Sequence, residues 1–274
     1  MRNTQLKLRM AIVGVILFAL YFGAALVFDA MFPGIGLLPI LALSIIVLPA
    51  AQYKLGKWMA LRGTEEMPNE GQYRQVHEMT ESLSRDMGLD KPKLVVQDMG
   101  VPNAFATGRK GAGVVCVSNE LIQLLERDEL EGVIAHELAH LNNRDTITMI
   151  LGQSVGMVVS YATFFLVRES GEGAGNFIVA YAASIVAQML TMIFVMAISR
   201  YREYVADDDA RQYIGSGDPL ARALEKISKG SEGRESNVDD SVSALCILNT
   251  DRSTLQQLFS THPPTEKRIE KLRS

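Results

Sequence analysis

His136, Glu137 and His140 stand in the run DELEGVIAHELAHLNNRD, Asp128 to Asp145, and their spacing fits metal chemistry. Histidines at i and i+4 of an α-helix sit one turn apart and about 40° round the axis, so both imidazoles can reach one ion. Glu137 is turned about 100° from His136 and about 60° from His140, which aims its carboxylate beside the ion rather than at it. A base in that place can take a proton from a water activated by the metal. The competing reading is a chance HExxH on an amphipathic helix whose histidines are merely hydrogen-bonded, and the motif alone is a moderately specific signal. Catalytic zinc needs a third protein ligand and an open position. The extended motif would put glycine at 143 and histidine at 146, but Asn143 and Thr146 stand there, so the third ligand must come from farther along.

The elements around these residues follow from pattern. Asp128 and Glu131 have the spacing of a capping box, and Leu130, Val133, Ile134, Leu138 and Leu141 supply the apolar positions of the metal helix. Upstream, Gln72 to Met87 reads as an amphipathic helix carrying His77, to which no role is assigned. KLVVQ (Lys93 to Gln97), NAFATG (Asn103 to Gly108) and GVVCVS (Gly113 to Ser118) read as strands, the last two joined by the turn Arg109 to Ala112. A short helix, Asn119 to Glu126, leads into the metal helix. A sheet beside such a helix suits a peptidase, because an extended peptide can add itself to an edge strand. Taken one by one, the same residues favour a hairpin packed for stability.

The chain has 274 residues, of which 48% are hydrophobic, and its formal net charge of −4 gives no electrostatic argument for nucleic acid. Cys116 and Cys246 lie in apolar runs and read as buried small hydrophobes rather than a disulfide. Uncharged runs at Ala11 to Phe28, Met31 to Tyr53, Thr146 to Val167 and Gly173 to Ser199 predict four membrane spans, with Pro39 and Pro49 bending the second. A signal peptide is the rival explanation of the first run, and the second run following at once favours an anchor. Arg2, Lys7, Arg9, Lys54, Lys57, Arg62, Arg144, Arg200 and Arg202 flank the spans on one side, whereas the connectors hold only Arg168. That asymmetry predicts cytoplasmic termini and a cytoplasmic soluble part. Gly152 and Gly156 have GxxxG spacing, which serves packing within a chain at least as often as dimerisation. Gln153, Ser154, Ser184 and Gln188 are polar groups within the spans.

Spans three and four form a hairpin, so the chain leaves near His140 and returns to the same face near Arg200. Glu203, in SRYREYVADDDA, is the third ligand by position. Asp207 lies at i+4 from it, placed to accept a hydrogen bond from a ligand imidazole, while Asp208 and Asp209 read as solvated. A merely charged helix surface would be the reading without the histidines. Ser231 to Ser243 is polar and turn-rich and reads as a loop. Pro263 and Pro264 open a last helix with Ile269 and Leu272 as its apolar edge, and His262 before them is either a cap or a site residue.

PNAFATG at Pro102 to Gly108, RDELEGVIAHELAH at Arg127 to His140, SRYREYVAD at Ser199 to Asp207 and THPPTEKRI at Thr261 to Ile269 together resemble the HtpX-type membrane zinc peptidases, relatives of the CAAX prenyl proteases. The resemblance covers nearly the whole chain. It implies that His136, His140 and Glu203 bind one zinc ion, that Glu137 is the catalytic base, and that misfolded or membrane proteins are cleaved at the cytoplasmic face of the cell membrane in quality control. It further implies that the NAFATG strand, including Asn103, contacts the substrate backbone and that His262 helps to stabilise the transition state.

The expected fold class is α+β: a mainly helical integral membrane protein with four transmembrane helices and a zincin-like (gluzincin) catalytic domain holding a small sheet. The expected segments are 1–55 and 146–199 in the bilayer, with soluble blocks at 56–145 and 200–274. In the expected hydrolysis the oxyanion is held by zinc, with His262, Tyr201 or Tyr204 as further donors. A non-catalytic zinc staple and a prenyl-peptide protease are the alternatives. Structural zinc sites favour four ligands and Cys, which are lacking near the motif.

Overall fold

Long runs without charge become helices because a helix satisfies its backbone internally, and glycine and proline decide where these runs break. The computed structural model describes residues 2–231 and 262–274, so the polar run 231–243 lies almost wholly outside the described residues, as does Cys246. The chain divides into two compact units, Met1–Lys54 with Thr148–Tyr201 and Leu55–Ile147 with Arg202–Ser274.

In the first unit α1 (Arg2–Met31) stops ahead of Gly36, which sits at φ +78°, and the chain restarts as α2 (Leu37–Ala42). Leu43–Val47 then form a π-helical stretch before α3 (Leu48–Ala60). Pro49 has no N–H and its ring crowds the carbonyl four residues back, at Ile45, so the wider π turn takes up the bend that proline imposes. Ser44 in that stretch lies 2.8 Å from the Tyr21 hydroxyl, which ties it to α1. α7 (Asp145–Glu169) and α8 (Gly173–Ile214) follow. Gly152 approaches Val195, and Gly156 approaches Thr191 and Met192, so the GxxxG spacing packs α7 on α8 within one chain. Ser154 donates to Gln52 and Ser160 to the carbonyl of Ser184, which satisfies these hydroxyls inside the bundle.

Four helical stretches are long and apolar enough to cross a membrane: Leu8–Met31, Pro39–Ala60, Asp145–Glu169 and Gly173–Ile214. Phe18, Ile46, Phe177 and Leu190 are exposed on them, as expected of side chains that face lipid. α8 is about 63 Å long at 1.5 Å per residue, so the helix does not end with its apolar run but continues through Glu203 to Ile214.

The second unit is built on a sheet of order β1-β2-β4-β3, with β1 (Glu65–Glu66), β2 (Lys93–Gln97), β3 (Ala104–Thr107) and β4 (Val114–Ser118). β2 and β4 are parallel and the other pairs antiparallel. After β2 the chain therefore crosses to the far edge as β3 and returns through a hairpin to the centre as β4. Gly108 holds φ +110° in that hairpin, where a Cβ would come 2.6 Å from the Ala112 carbonyl. Side chains alternate between the two faces. Leu94, Val96, Val115, Val117 and Ala104 join the main core, and Val95, Val114, Cys116 and Phe105 join a smaller cluster with Ala60 and Met99 on the opposite face.

The main core also takes in α4 (Arg74–Asp86), α5 (Asn119–Leu124), α6 (Arg127–Asn142), α9 (Asp218–Ser231) and α10 (Thr265–Arg273). α6 is mostly buried between Glu129 and Leu141, with Leu130, Val133, Ile134, Leu138 and Leu141 in that core. Its cap differs from the expected one. Glu126 takes the cap position, its side chain accepts from the backbone of Glu129, and Glu129 Oε2 accepts from Glu126 N at 2.9 Å. Asp128 lies inside the first turn and pairs with Arg222. Glu129 decides the register, being fully buried against Arg222 Nη1 at 3.0 Å and Lys226 Nζ at 2.8 Å.

α6 and α9 touch through Gly132, where an added Cβ would lie 3.0 Å from Leu220 N and 3.2 Å from its Cα. Backbone cannot yield there as a side chain can. Gly132→Val should therefore lower stability by about 1–3 kcal/mol, the usual cost of overpacking, read as a fall in the thermal unfolding midpoint of the detergent-purified chain. A parental midpoint would show that the two helices are not held at this distance.

Candidate metal centre

α6 presents His136 and His140 one turn apart, with ring centroids separated by 4.6 Å and planes at 87°. Their Nε2 atoms approach to 3.0 Å. α8 brings Glu203 to the same point, with Oε2 at 3.5 Å from His136 Nε2 and Oε1 at 3.4 Å from His140 Nε2. One ligand atom from each residue lies within 4.8 Å of the other two. His136, Glu137 and Glu203 are buried.

Each ring turns its other nitrogen to a carboxylate. His136 Nδ1 lies 3.1 Å from Asp207 Oδ1, and His140 Nδ1 lies 2.6 Å from Asp145 Oδ2. Each carboxylate in turn meets an arginine. Arg268 on α10 donates through Nε to Asp207 Oδ2 at 2.9 Å and through Nη2 to Oδ1 at 2.6 Å, while Asp145 is paired with Arg202. Arg268 Nη1 also reaches Glu203 Oε2 at 3.1 Å, and Nη2 lies 3.3 Å from His136 Nε2. His262 Nδ1 stands 3.1 Å from Glu203 Oε1.

Charge and burial set the protonation of the cluster. Burial raises the Glu137 carboxyl above the ordinary range, against the lowering effect of the nearby imidazoles, so it is a stronger base than a free carboxylate. Burial works against a charged His136, and so do Arg268 and His140, yet Asp207 and Glu203 raise it on balance. His140 is raised well above the ordinary value, its burial outweighed by Asp145 and Glu203. The field at the rings is therefore one that draws in positive charge.

The donor set suits a metal. Two imidazole nitrogens and one carboxylate converge without a cysteine, the combination of three protein ligands that leaves a catalytic ion an open position. Glu203 Oε2 is buried with no donor in hydrogen-bond alignment, although Arg268 is close. The Arg268 guanidinium offsets its charge, and the convergence of the three donor atoms is what suits a metal.

Asp145, Arg202 and Arg268 carry no role at the metal centre in the sequence reading. Arg202 reads there as an orientation charge behind the fourth span, but it is only 4% exposed. Arg268 lies in THPPTEKRI, six residues after His262, where a cation inside a conspicuous motif was the available signal. Asp145 closes the run that begins at Asp128, and nothing in its spacing marks it. Asn103 stands one residue before β3 and is buried. Its backbone N–H donates to Ser118 Oγ at 2.9 Å, its carbonyl accepts from Ser118 N, and its Nδ2 faces Met99 Sδ at 3.7 Å. Tyr204 has Lys271 Nζ 3.4 Å above its ring. His77 faces the carbonyl of Met67, Asp208 is exposed, and Asp209 accepts from Asn143.

Residues 70–274 match the family described as Peptidase family M48. The chain is similar to a "Protease HtpX homolog" of Halobacterium salinarum, 51% identical over 97% of this chain and 100% of that protein. It is also similar to a "Protease HtpX homolog" of Pyrococcus abyssi, 40% identical over 73% of this chain and 72% of that protein. Its fold is similar to that of the crystal structure of S. mikatae Ste24p, with 18% identity, a TM-score of 0.59, and coverage of 99% of this chain and 65% of that chain. The present chain thus spans less than two thirds of Ste24p.

Arg268 is the cation on which two buried acids depend, and it is 1% exposed. Removing one partner of a buried ion pair costs about 3–5 kcal/mol, because the other is left buried and uncompensated. Arg268→Ala should lose that much in denaturant unfolding, and Arg268→Lys should recover only part, since an ammonium cannot make the two parallel bonds to Asp207. A loss within about 1 kcal/mol for the alanine variant would mean that the pair contributes as little as an exposed one.

Proposed function

We propose a reaction from the premise that the chain belongs to peptidase family M48, and so is a multi-pass membrane metalloprotease. It hydrolyses peptide bonds at a zinc ion held by His136, His140 and Glu203, with Glu137 as general base. The observation that carries this reading is the convergence of both Nε2 atoms and the Glu203 carboxylate within 4.8 Å, with the Glu137 side chain buried one residue along from His136. Zinc, when bound, supplies a Lewis acid that polarises the scissile carbonyl and lowers the pKa of water from about 15.7 to about 7. Glu137 takes a proton from the attacking water onto its carboxylate and hands it to the leaving nitrogen. The proximity of His262 Nδ1 to Glu203 Oε1, 3.1 Å, supports a role for His262 in donating a ring N–H to the oxygen that becomes negative.

β3, the NAFATG strand, is the outermost strand beyond β4 among the described residues, which supports alignment of an extended substrate by main-chain hydrogen bonds. With Asn103 buried behind Ser118, the strand's backbone rather than the Asn103 side chain is the contact to expect. The substrates are membrane or misfolded proteins, cut at the cytoplasmic face as part of quality control. Lys54, Lys57, Arg62, Arg144 and Arg200 support that orientation even with Arg202 committed to Asp145.

Glu137→Gln keeps the size of the side chain and removes the base. It should bind zinc as the parent does, unfold at the parental temperature, and cleave an unfolded membrane protein about a hundred- to ten-thousand-fold more slowly. Cleavage at the parental rate would remove Glu137 from the mechanism.

Metal dependence gives a separate test. Dialysis of the detergent-purified chain against a strong chelator should abolish cleavage, and stoichiometric Zn2+ should restore it where Mg2+, which prefers oxygen ligands, does not. Full activity in the metal-free chain would refute the assignment.

A further inference from the structure

A ligand histidine has to offer one nitrogen to the metal and place its proton on the other. His140 presents Nε2 to the centre, so Nδ1 must carry the proton, and whichever acceptor faces Nδ1 fixes both the tautomer and the rotation of the ring. For His136 the carboxylate that faces Nδ1, that of Asp207, comes from the same helix face as Glu203. His140 has no such neighbour on α8, and its acceptor is the first residue of α7.

From this geometry we propose that Asp145 is a positioning residue for His140, and that Arg202 holds it in place. This rests on the reading of His140 as a metal ligand. The 2.6 Å separation of His140 Nδ1 and Asp145 Oδ2 is at the short end of hydrogen bonds between nitrogen and oxygen, as expected when the acceptor is charged. The second oxygen of Asp145 is turned to Arg202, whose side chain is 5% exposed and which directly precedes Glu203. One turn of α8 thus supplies both a ligand and the cation that holds the orienting acid of another ligand.

The backbone between α6 and α7 is compatible with this contact. Arg144 sits at φ +57°, the one non-glycine residue at positive φ among the described residues. A side chain in that region costs about 1–2 kcal/mol. The left-handed step falls between the end of α6 at Asn142 and the start of α7 at Asp145, directly before the residue whose carboxylate meets His140. A left-handed residue at this place also ends α6 in the ordinary way, whereas an acid that served only the first turn of α7 would not need the buried guanidinium.

The test measures metal binding rather than cleavage, on the full chain in detergent after chelator stripping. Zinc affinity is read by competition with a chromogenic chelator, and ligand geometry by the visible absorption of the Co2+ form. Asp145→Asn should raise the zinc Kd about 10–100-fold and shift the cobalt bands. Asp128→Asn, which removes a charge from the first turn of α6, should leave both unchanged. Arg202→Met should raise the Kd several-fold, and combining it with Asp145→Asn should add nothing further, because Arg202 acts through Asp145. A parental zinc Kd in Asp145→Asn overturns the proposal. If that variant does not fold, a parental Kd in Arg202→Met overturns it equally. A parental chain that takes up no zinc overturns the metal reading, and this inference with it, whereas normal parental uptake with no change in the variants overturns this inference alone.

Discussion

Glu203 has to shed its water to reach His136 and His140, and a carboxylate without water must be matched by charge. Desolvation costs several kcal/mol per ion, so each acid at the centre is tolerated only where a cation or an N–H meets it. Arg268 meets two of these acids at once and Arg202 a third. The C-terminal segment is therefore part of the centre rather than an appendage. Pro263 and Pro264 lead into α10, Ile269 and Leu272 seat it in the core beside α9, and that seating delivers Arg268 to Asp207.

The same constraint explains the character of α6. A helix that holds polar groups away from solvent needs apolar neighbours on every side, and α6 has the sheet, α4 and α9 around it. Gly132 lets α9 come close, and the cap formed by Glu126 and Glu129 leaves Glu129 buried between Arg222 and Lys226. His136 and Glu137 are then the places where the apolar pattern is broken, which is where sequence and local stability disagree in a functional protein.

Much of this was legible without coordinates, for identifiable reasons. Short apolar runs set between turn-rich stretches mark β2, β3 and β4, and uncharged length marks the four spans, because each signal is local. The meeting of Glu203 with the two rings follows from topology, since a hairpin of spans must return the chain to the face it left. Pairings across long stretches of sequence leave no such trace. The bond from Arg268 to Asp207 joins residues 61 apart, and no periodicity announces it. The pairing of Arg202 with Asp145 is equally hidden, because a basic residue after a span is ordinarily an orientation charge. The cap of α6 was misplaced for a related reason: Asp128 satisfies the local rule, but Glu129 has distant partners on α9 that fix the register. β1 is two residues long and exposed, too short to give any pattern.

α8 shows why the Glu203 carboxylate sits on a helix rather than on a loop. From Asn176 to Ile214 the sequence contains neither glycine nor proline, so the helical register passes unbroken from the apolar run into SRYREYVAD. Residues one apart are turned about 100°, and residues four apart about 40°. Glu203 and Asp207 consequently share a face, one toward both rings and the other toward His136 Nδ1, while Arg202 is turned aside to Asp145. A loop could bring any one of these groups to the centre, but each would then carry its own freedom. On one helix the three directions are fixed together, and the angle at which the carboxylate meets the imidazoles follows from the backbone geometry of α8.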